Sequence, residues 1–105
     1  MTTINIKDFV RGWIVGDFSP CLVQTKDVEV AIMERQKAYK PDGHYHTQST
    51  EYNFLVSGRA ISNGRILEKG DCFVYQKNEK CEVEFLEDST IIVVRTPSIN
   101  DKAEA

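Results

Sequence analysis

Apolar residues in this chain recur with a period of two, a spacing that suits β-strands with one face buried and the other wet. The clearest case is Lys80–Phe85: Cys81, Val83 and Phe85 share one face, and Lys80, Glu82 and Glu84 take the other. Asp71–Gln76 and Thr90–Thr96 are rich in the β-branched and aromatic residues that fit a pleated surface. Between Phe54-Leu-Val56 and Arg65-Ile-Leu67 sits Asn63-Gly64. That pair signals a tight hairpin, because a type I′ turn requires positive φ at both central residues. Further turns are marked at Lys40–Gly43, Glu68–Asp71 and Glu87–Ser89. Asp27–Ala38 reads two ways. Val28, Val30 and Ile32 alternate as in a strand, while Val28, Ala31, Ile32 and Arg35 would share a helical face. Strand neighbours on both sides favour the strand. Trp13-Ile14-Val15 is a further short strand candidate, covering a barrel edge or lining a partner subunit. Roughly seven or eight short strands with turns between them predict an antiparallel sandwich or barrel.

The 105 residues fit one domain, 1–105, with a barrel core at about 22–97. The polar and small residues 98–105 read as a frayed tail. Thirteen Lys and Arg against sixteen Asp and Glu, net charge −3, leave no basic patch for nucleic acid or an anionic membrane. The apolar run Ile91–Val94 is far short of the roughly 20 residues that span a bilayer. The first residues lack the basic and apolar regions of a signal peptide, no Asn-x-Ser/Thr acceptor occurs, and three cysteines cannot all pair within one chain. A reducing, cytoplasmic location is the expectation. Cys72 reads as packing on its strand and Cys21 as a loop residue.

Both histidines fall within three residues, at His44 and His46. Positions i and i+2 of a strand face the same way, so both imidazoles would enter one space. Imidazole suits zinc, iron, copper and nickel, and Glu51 lies five residues beyond His46. Two histidines and a carboxylate can bind a metal on one side and leave positions open for a ligand. The alternative is a solvated turn after Pro41-Asp42-Gly43.

The spacing His44-Tyr-His46, four residues, Glu51, six residues, Gly58 resembles the first motif of the cupin family. Gly70-Asp71 is similar to the start of its second motif. The pattern departs at three places: Ala38 stands where the family has glycine, Gln76 where it has proline, and Cys81 where it has its last histidine. The resemblance implies an all-β, single-domain cupin-type β-barrel, a double-stranded jelly roll. It implies His44, His46 and Glu51 as ligands of a divalent transition metal such as Fe, Zn, Mn or Ni. Cys81 is then either a softer fourth ligand or a buried core residue. A Cys81–His nucleophilic pair is a weaker alternative. Gln48 and Asn53, on the faces of His46 and Glu51, are candidate ligand-binding residues. Tyr52, Phe54 and Val56 take the opposite face, as packing or a dimer surface. The family implication is a metal-dependent enzyme on a small molecule. The competing readings are a non-catalytic module for a sugar or metabolite, and a metal-free barrel acting through partner contacts. A homodimer is the expected assembly.

Overall fold

The computed structural model describes residues 1–104. After a short 3-10 turn at Ile6–Asp8, eleven strands follow: β1 (Trp13–Gly16), β2 (Val23–Gln24), β3 (Glu29–Arg35), β4 (His44–His46), β5 (Thr50–Ser57), β6 (Arg59–Ser62), β7 (Arg65–Glu68), β8 (Cys72–Tyr75), β9 (Val83–Phe85), β10 (Ser89–Thr96) and β11 (Lys102–Glu104). The ambiguous segment is a strand, as its neighbours implied. Part of the excess over the seven or eight expected comes from the two- and three-residue β2 and β11, too short for periodicity to register.

One sheet has six strands in the order β2-β1-β3-β10-β5-β8. Packed against it are the three-stranded sheet β7-β6-β9 and the pair β11-β4. Asn63 and Gly64, at φ 48° and 78°, turn β6 into β7 as the sequence indicated. Gly58 has φ +91°, and a Cβ there would meet the Ser89 Oγ at 2.1 Å and the Asp88 carbonyl oxygen at 2.7 Å. The motif glycine thus has a packing reason: β5 ends hard against the turn that starts β10.

The register arranges the inner face of the large sheet in transverse rows. Met33, Ile91 and Leu55 form one row, and Ala31, Val93, Asn53 and Phe73 the next. The third is polar: Glu29 pairs with Arg95, Arg95 with Glu51, and Glu51 with Tyr75. The apolar rows meet Ala60, Leu67 and Phe85 from the smaller sheet in one continuous core. Leu55 is completely buried there, and its truncation to alanine should cost about 2–5 kcal/mol. The polar row faces the His44–His46 strand, so the barrel has a greasy end and a wet end.

Residues 98–104 correct the expectation of a frayed tail. β11 pairs antiparallel with β4, Lys102 opposite His46 and Glu104 opposite His44. Ser98 donates its backbone N–H to the Lys26 carbonyl, and Asp101 is buried. A tail too polar to enter a core is held instead by hydrogen bonds. β1 likewise joins the large sheet although it lies before the expected 22–97 core.

Candidate metal centre

β4 presents both imidazoles toward the polar row, and an isolated bridge pairs His44 with Cys81 through two backbone hydrogen bonds of 2.6 and 3.2 Å. One ligand atom from each of His44, His46 and Cys81 lies within 4.8 Å of the other two. Donors sharing one side of a metal, with bonds of about 2.0–2.3 Å, are roughly 3–3.7 Å apart, so side-chain rotations that draw these atoms in by about an ångström would close the set on one ion. Glu51 reaches His46, its Oε1 3.4 Å from Nε2, without belonging to the mutually close three.

Asp101 orients His46. Its carboxylate is 0% exposed, sits 2.9 Å from the His46 Nδ1, and accepts hydrogen bonds from the backbone N–H groups of Gln48 (2.7 Å) and Ser49 (2.8 Å) and from the Ser49 hydroxyl. Burial pushes its pKa up, but these donors outweigh burial and hold it down at about 2. A carboxylate only accepts, so Nδ1 carries a proton, and in the neutral imidazole the Nε2 lone pair is left on the Glu51 side. Two electron-rich atoms then face each other at 3.4 Å, an arrangement that is favourable only with a proton or a metal cation between them.

The pKa directions fit a proton or cation between these two atoms. Burial lowers the His46 pKa, yet the hydrogen bonds with Glu51 and Asp101 more than reverse this, and the net shift is upward. Burial likewise raises Glu51, but His46, Asn53 and Arg95 bring it below its ordinary value. His44 is lowered by burial and by the Lys102 ammonium. The Cys81 thiol is pushed up to about 12 by burial and by the Glu51 and Glu79 carboxylates. That disfavours Cys81 as a nucleophile in the metal-free protein, since the thiolate is the reactive form. A bound dication would reverse the effect, because a coordinating thiol is deprotonated outright.

Arg95 is the site's fixed cation. Its Nη2 donates to the Glu29 Oε2 at 2.9 Å, and its Cζ lies 4.6 Å from the Trp13 ring centre. Its Nη1 is 3.2 Å from the His46 Nδ1 and 3.1 Å from Nε2. The two ring nitrogens point in different directions, so a donor equidistant from both sits over the ring face rather than in its plane. Among the described residues the buried Nε of Arg95 meets no hydrogen-bond partner. A cavity of about 510 Å³ opens on Arg95 and Glu29, walled by Trp13, Phe18 and Pro20, beside the histidines rather than on them.

Several sequence expectations change here. Asn53 is buried and donates its Nδ2–H to the Glu51 Oε2 at 3.1 Å, so it orients Glu51 instead of facing open space. Gln48 is exposed, because the chain bends after His46 and breaks the alternation; only its backbone N–H serves the site, through Asp101. Cys72 is exposed and not packed, since it lies on the outward side of β8. Glu29, Arg95, Asp101 and Tyr75 were missed. Alternation through β3 and β10 was the available signal for Glu29, between Val28 and Val30, and for Arg95, between Val94 and Thr96; for Asp101 there was none. Tyr75, bonded to the Ser62 hydroxyl, is pushed up to about 12 by burial and stays neutral.

No family model matches the sequence, and no curated protein matches it by sequence. Solved structures do match its shape. A conserved protein with a double-stranded β-helix domain from Klebsiella pneumoniae aligns over 98% of this chain and 90% of its own, with a TM-score of 0.74 at 17% identity. KdgF from a Halomonas species aligns over 73% of this chain and 74% of its own, with a TM-score of 0.66 at 24% identity. Oxalate decarboxylase from Bacillus subtilis matches 75% of this chain with a TM-score of 0.63 at 15% identity, and the chain spans 24% of that larger enzyme. The fold is therefore the cupin fold, a double-stranded β-helix, as the motif at His44–Gly58 implied. Among the described residues no helix is long and apolar enough to cross a membrane.

Proposed function

We propose that this protein binds one divalent transition metal at the polar end of the barrel, through His44, His46 and Cys81 with Glu51 alongside, and that the centre acts on a small molecule. The observation that carries the reading is the convergence of one donor atom each from His44, His46 and Cys81 within 4.8 Å, with the Glu51 Oε1 3.4 Å from the His46 Nε2. Charge supports it. Glu29, Glu51 and Asp101 bring three carboxylates to this end against the Arg95 guanidinium and the Lys102 ammonium, an excess that a cation would offset. The cupin-fold neighbours include oxalate decarboxylase and a sugar phosphate isomerase, so small-molecule chemistry has precedent on this fold. When bound, the metal would supply Lewis acidity at an open coordination position. The chain's own part is to fix His46 through Asp101, aim Glu51 through Asn53, and shape the cavity beside Arg95 and Trp13.

A second reading follows from Arg95. Its guanidinium over His46, with the adjoining 510 Å³ cavity, would suit metal-free capture of a small polar metabolite. Metal titration of tag-free protein, followed by thermal unfolding, separates the two. At a hundredfold excess over Kd, a metal that binds only the folded state adds about 2.7 kcal/mol, worth roughly 10–20 °C in midpoint for a chain of this size. An unfolding midpoint unmoved by zinc, iron, manganese and nickel would leave only the second reading.

A further inference from the structure

Residues 98–104 hold the ligand-bearing strand in place, and what holds them in return is mostly polar. β4 and β11 form a sheet of only two strands. On its other side, among the described residues, β4 has short contacts in place of a full strand: His44 exchanges backbone hydrogen bonds with Cys81, and the His46 carbonyl accepts from the Asn78 N–H. Backbone groups alternate sides along a strand, so Tyr45 and Thr47 turn theirs to the C-terminal segment. There Ala103 stands opposite Tyr45, and the Asp101 carbonyl accepts from the Thr47 N–H. A two-stranded ribbon is marginal by itself. No residue of 98–104 belongs to the apolar core, and Ile99, its one large apolar side chain, is 37% exposed. Docking therefore rests on hydrogen bonds, and the largest group of them meets at the Asp101 carboxylate: the Gln48 and Ser49 N–H groups, the Ser49 hydroxyl and the His46 ring. A segment held this way opens locally at little cost.

Metal and segment meet at one imidazole. His46 turns Nδ1 to Asp101 at 2.9 Å and, in the metal reading proposed above, gives Nε2 to the ion. A cation on Nε2 draws electron density from the ring and makes Nδ1–H a stronger donor, while the docked carboxylate makes Nε2 a better ligand. Docking also pairs β4, the strand that carries both imidazoles. Of the charged residues it brings, Asp101 and Glu104 are acidic and Lys102 is basic, a net gain of negative charge beside a cation site. The same segment walls the neighbouring cavity: Ser98, Ile99 and Asn100 line it, and the Ser98 hydroxyl accepts from the Asp17 N–H at 2.9 Å. When the segment opens, His46 loses its orienting carboxylate, β4 its partner and the cavity one wall. We infer that residues 98–104 are a metal-linked strap: metal binding and docking strengthen each other, so loading the centre closes the cavity beside it. The inference rests on the metal reading, and linkage requires that the two events favour each other by the same factor.

The test uses zinc as the probe and reads its binding and the strap separately. Competition with a chromophoric chelator measures zinc affinity, and amide hydrogen exchange with and without saturating zinc measures docking. Zinc should slow exchange at Ser98 and Ala103 by about tenfold, inside the 5–150-fold span usual for coupled sites. The Asp71 amide, bonded to the Glu68 carbonyl at 3.0 Å in the turn between β7 and β8, should not respond. Ala103→Pro removes the N–H at the position opposite Tyr45 and leaves Asp101 and the metal-site residues in place. Its zinc affinity should fall by about tenfold, with circular dichroism showing the variant folded. Zinc that binds without slowing Ser98 and Ala103, or that slows Asp71 equally, would overturn the strap and leave the metal reading standing. A folded Ala103→Pro with wild-type zinc affinity would do the same. A wild type that binds no zinc would overturn both. The exchange measurement needs no variant, so it decides even where the proline disrupts the fold.

Discussion

Replacing Asp101 with asparagine changes one atom in the most enclosed part of the site. The carboxylate accepts from the backbone N–H groups of Gln48 and Ser49 through one oxygen and faces the His46 Nδ1, 2.9 Å away, with the other. In the variant the amide oxygen must stay on the two backbone donors, because turning the NH₂ toward them would oppose donor to donor. The NH₂ then points at the His46 Nδ1 and can be satisfied only if that nitrogen gives up its proton. The imidazole proton shifts to Nε2, where Glu51 at 3.4 Å accepts it. The lone pair needed for a metal is lost, while the hydrogen-bond count is nearly preserved. The fold should therefore tolerate Asp101→Asn, but metal affinity should fall by about 10–100-fold, or roughly 1.4–2.8 kcal/mol. Asp101→Ala has no such escape: it orphans buried donors worth about 1–3 kcal/mol each and should destabilise the fold itself. Competition with a chromophoric chelator measures the affinity, and nitrogen chemical shifts of the ring report the tautomer. Wild-type affinity in Asp101→Asn, or an unshifted tautomer in the metal-free variant, would refute the orientation argument.

Three further expectations follow from the same residues. Asp101 is held at about 2, below its unfolded value, so it contributes stability at pH above about 4 that is lost as pH falls toward 2; that contribution is of order 2 kcal/mol. Urea unfolding at several acid pH values should show this loss in the wild type, and a similar acid slope in Asp101→Asn would assign it elsewhere. In metal-free protein at pH 8, a thiol reagent should modify exposed Cys72 readily and leave buried Cys81, raised to about 12, unmodified. Rapid modification at Cys81, located by peptide mapping, would contradict that environment. Ala38 adopts φ +71° where the cupin motif has glycine, so Ala38→Gly should relieve left-handed strain and stabilise the fold by about 1 kcal/mol. A lower unfolding midpoint would show that the alanine methyl matters more than its backbone.

The strands and the first motif were legible because alternation and fixed spacing are local properties. His44, His46 and Glu51 could be named from the sequence, and the face shared by Glu51, Asn53 and Leu55 is the inward face found. Which side of β3 and β10 turned inward was not legible. Their outward positions are valine and isoleucine, while Glu29 and Arg95 point inward, the reverse of the usual burial preference. Only pairing across four strands shows that these charges compensate one another. Asp101 escaped for another reason: it is 55 residues from His46, in a segment whose composition resembles a disordered tail, and its burial depends on donors from the bend after β4. Cys81 was open between ligand and core, and the structure gives it features of both: buried, and within reach of both imidazoles.

A metal held by His44, His46, Cys81 and Glu51 is tested most directly by elemental analysis of tag-free protein after equilibration with each candidate ion and removal of the excess. The prediction is close to one transition-metal ion per chain, abolished in His46→Ala and weakened in Cys81→Ser. A wild-type protein that retains no metal, or a content unchanged in His46→Ala, would contradict it.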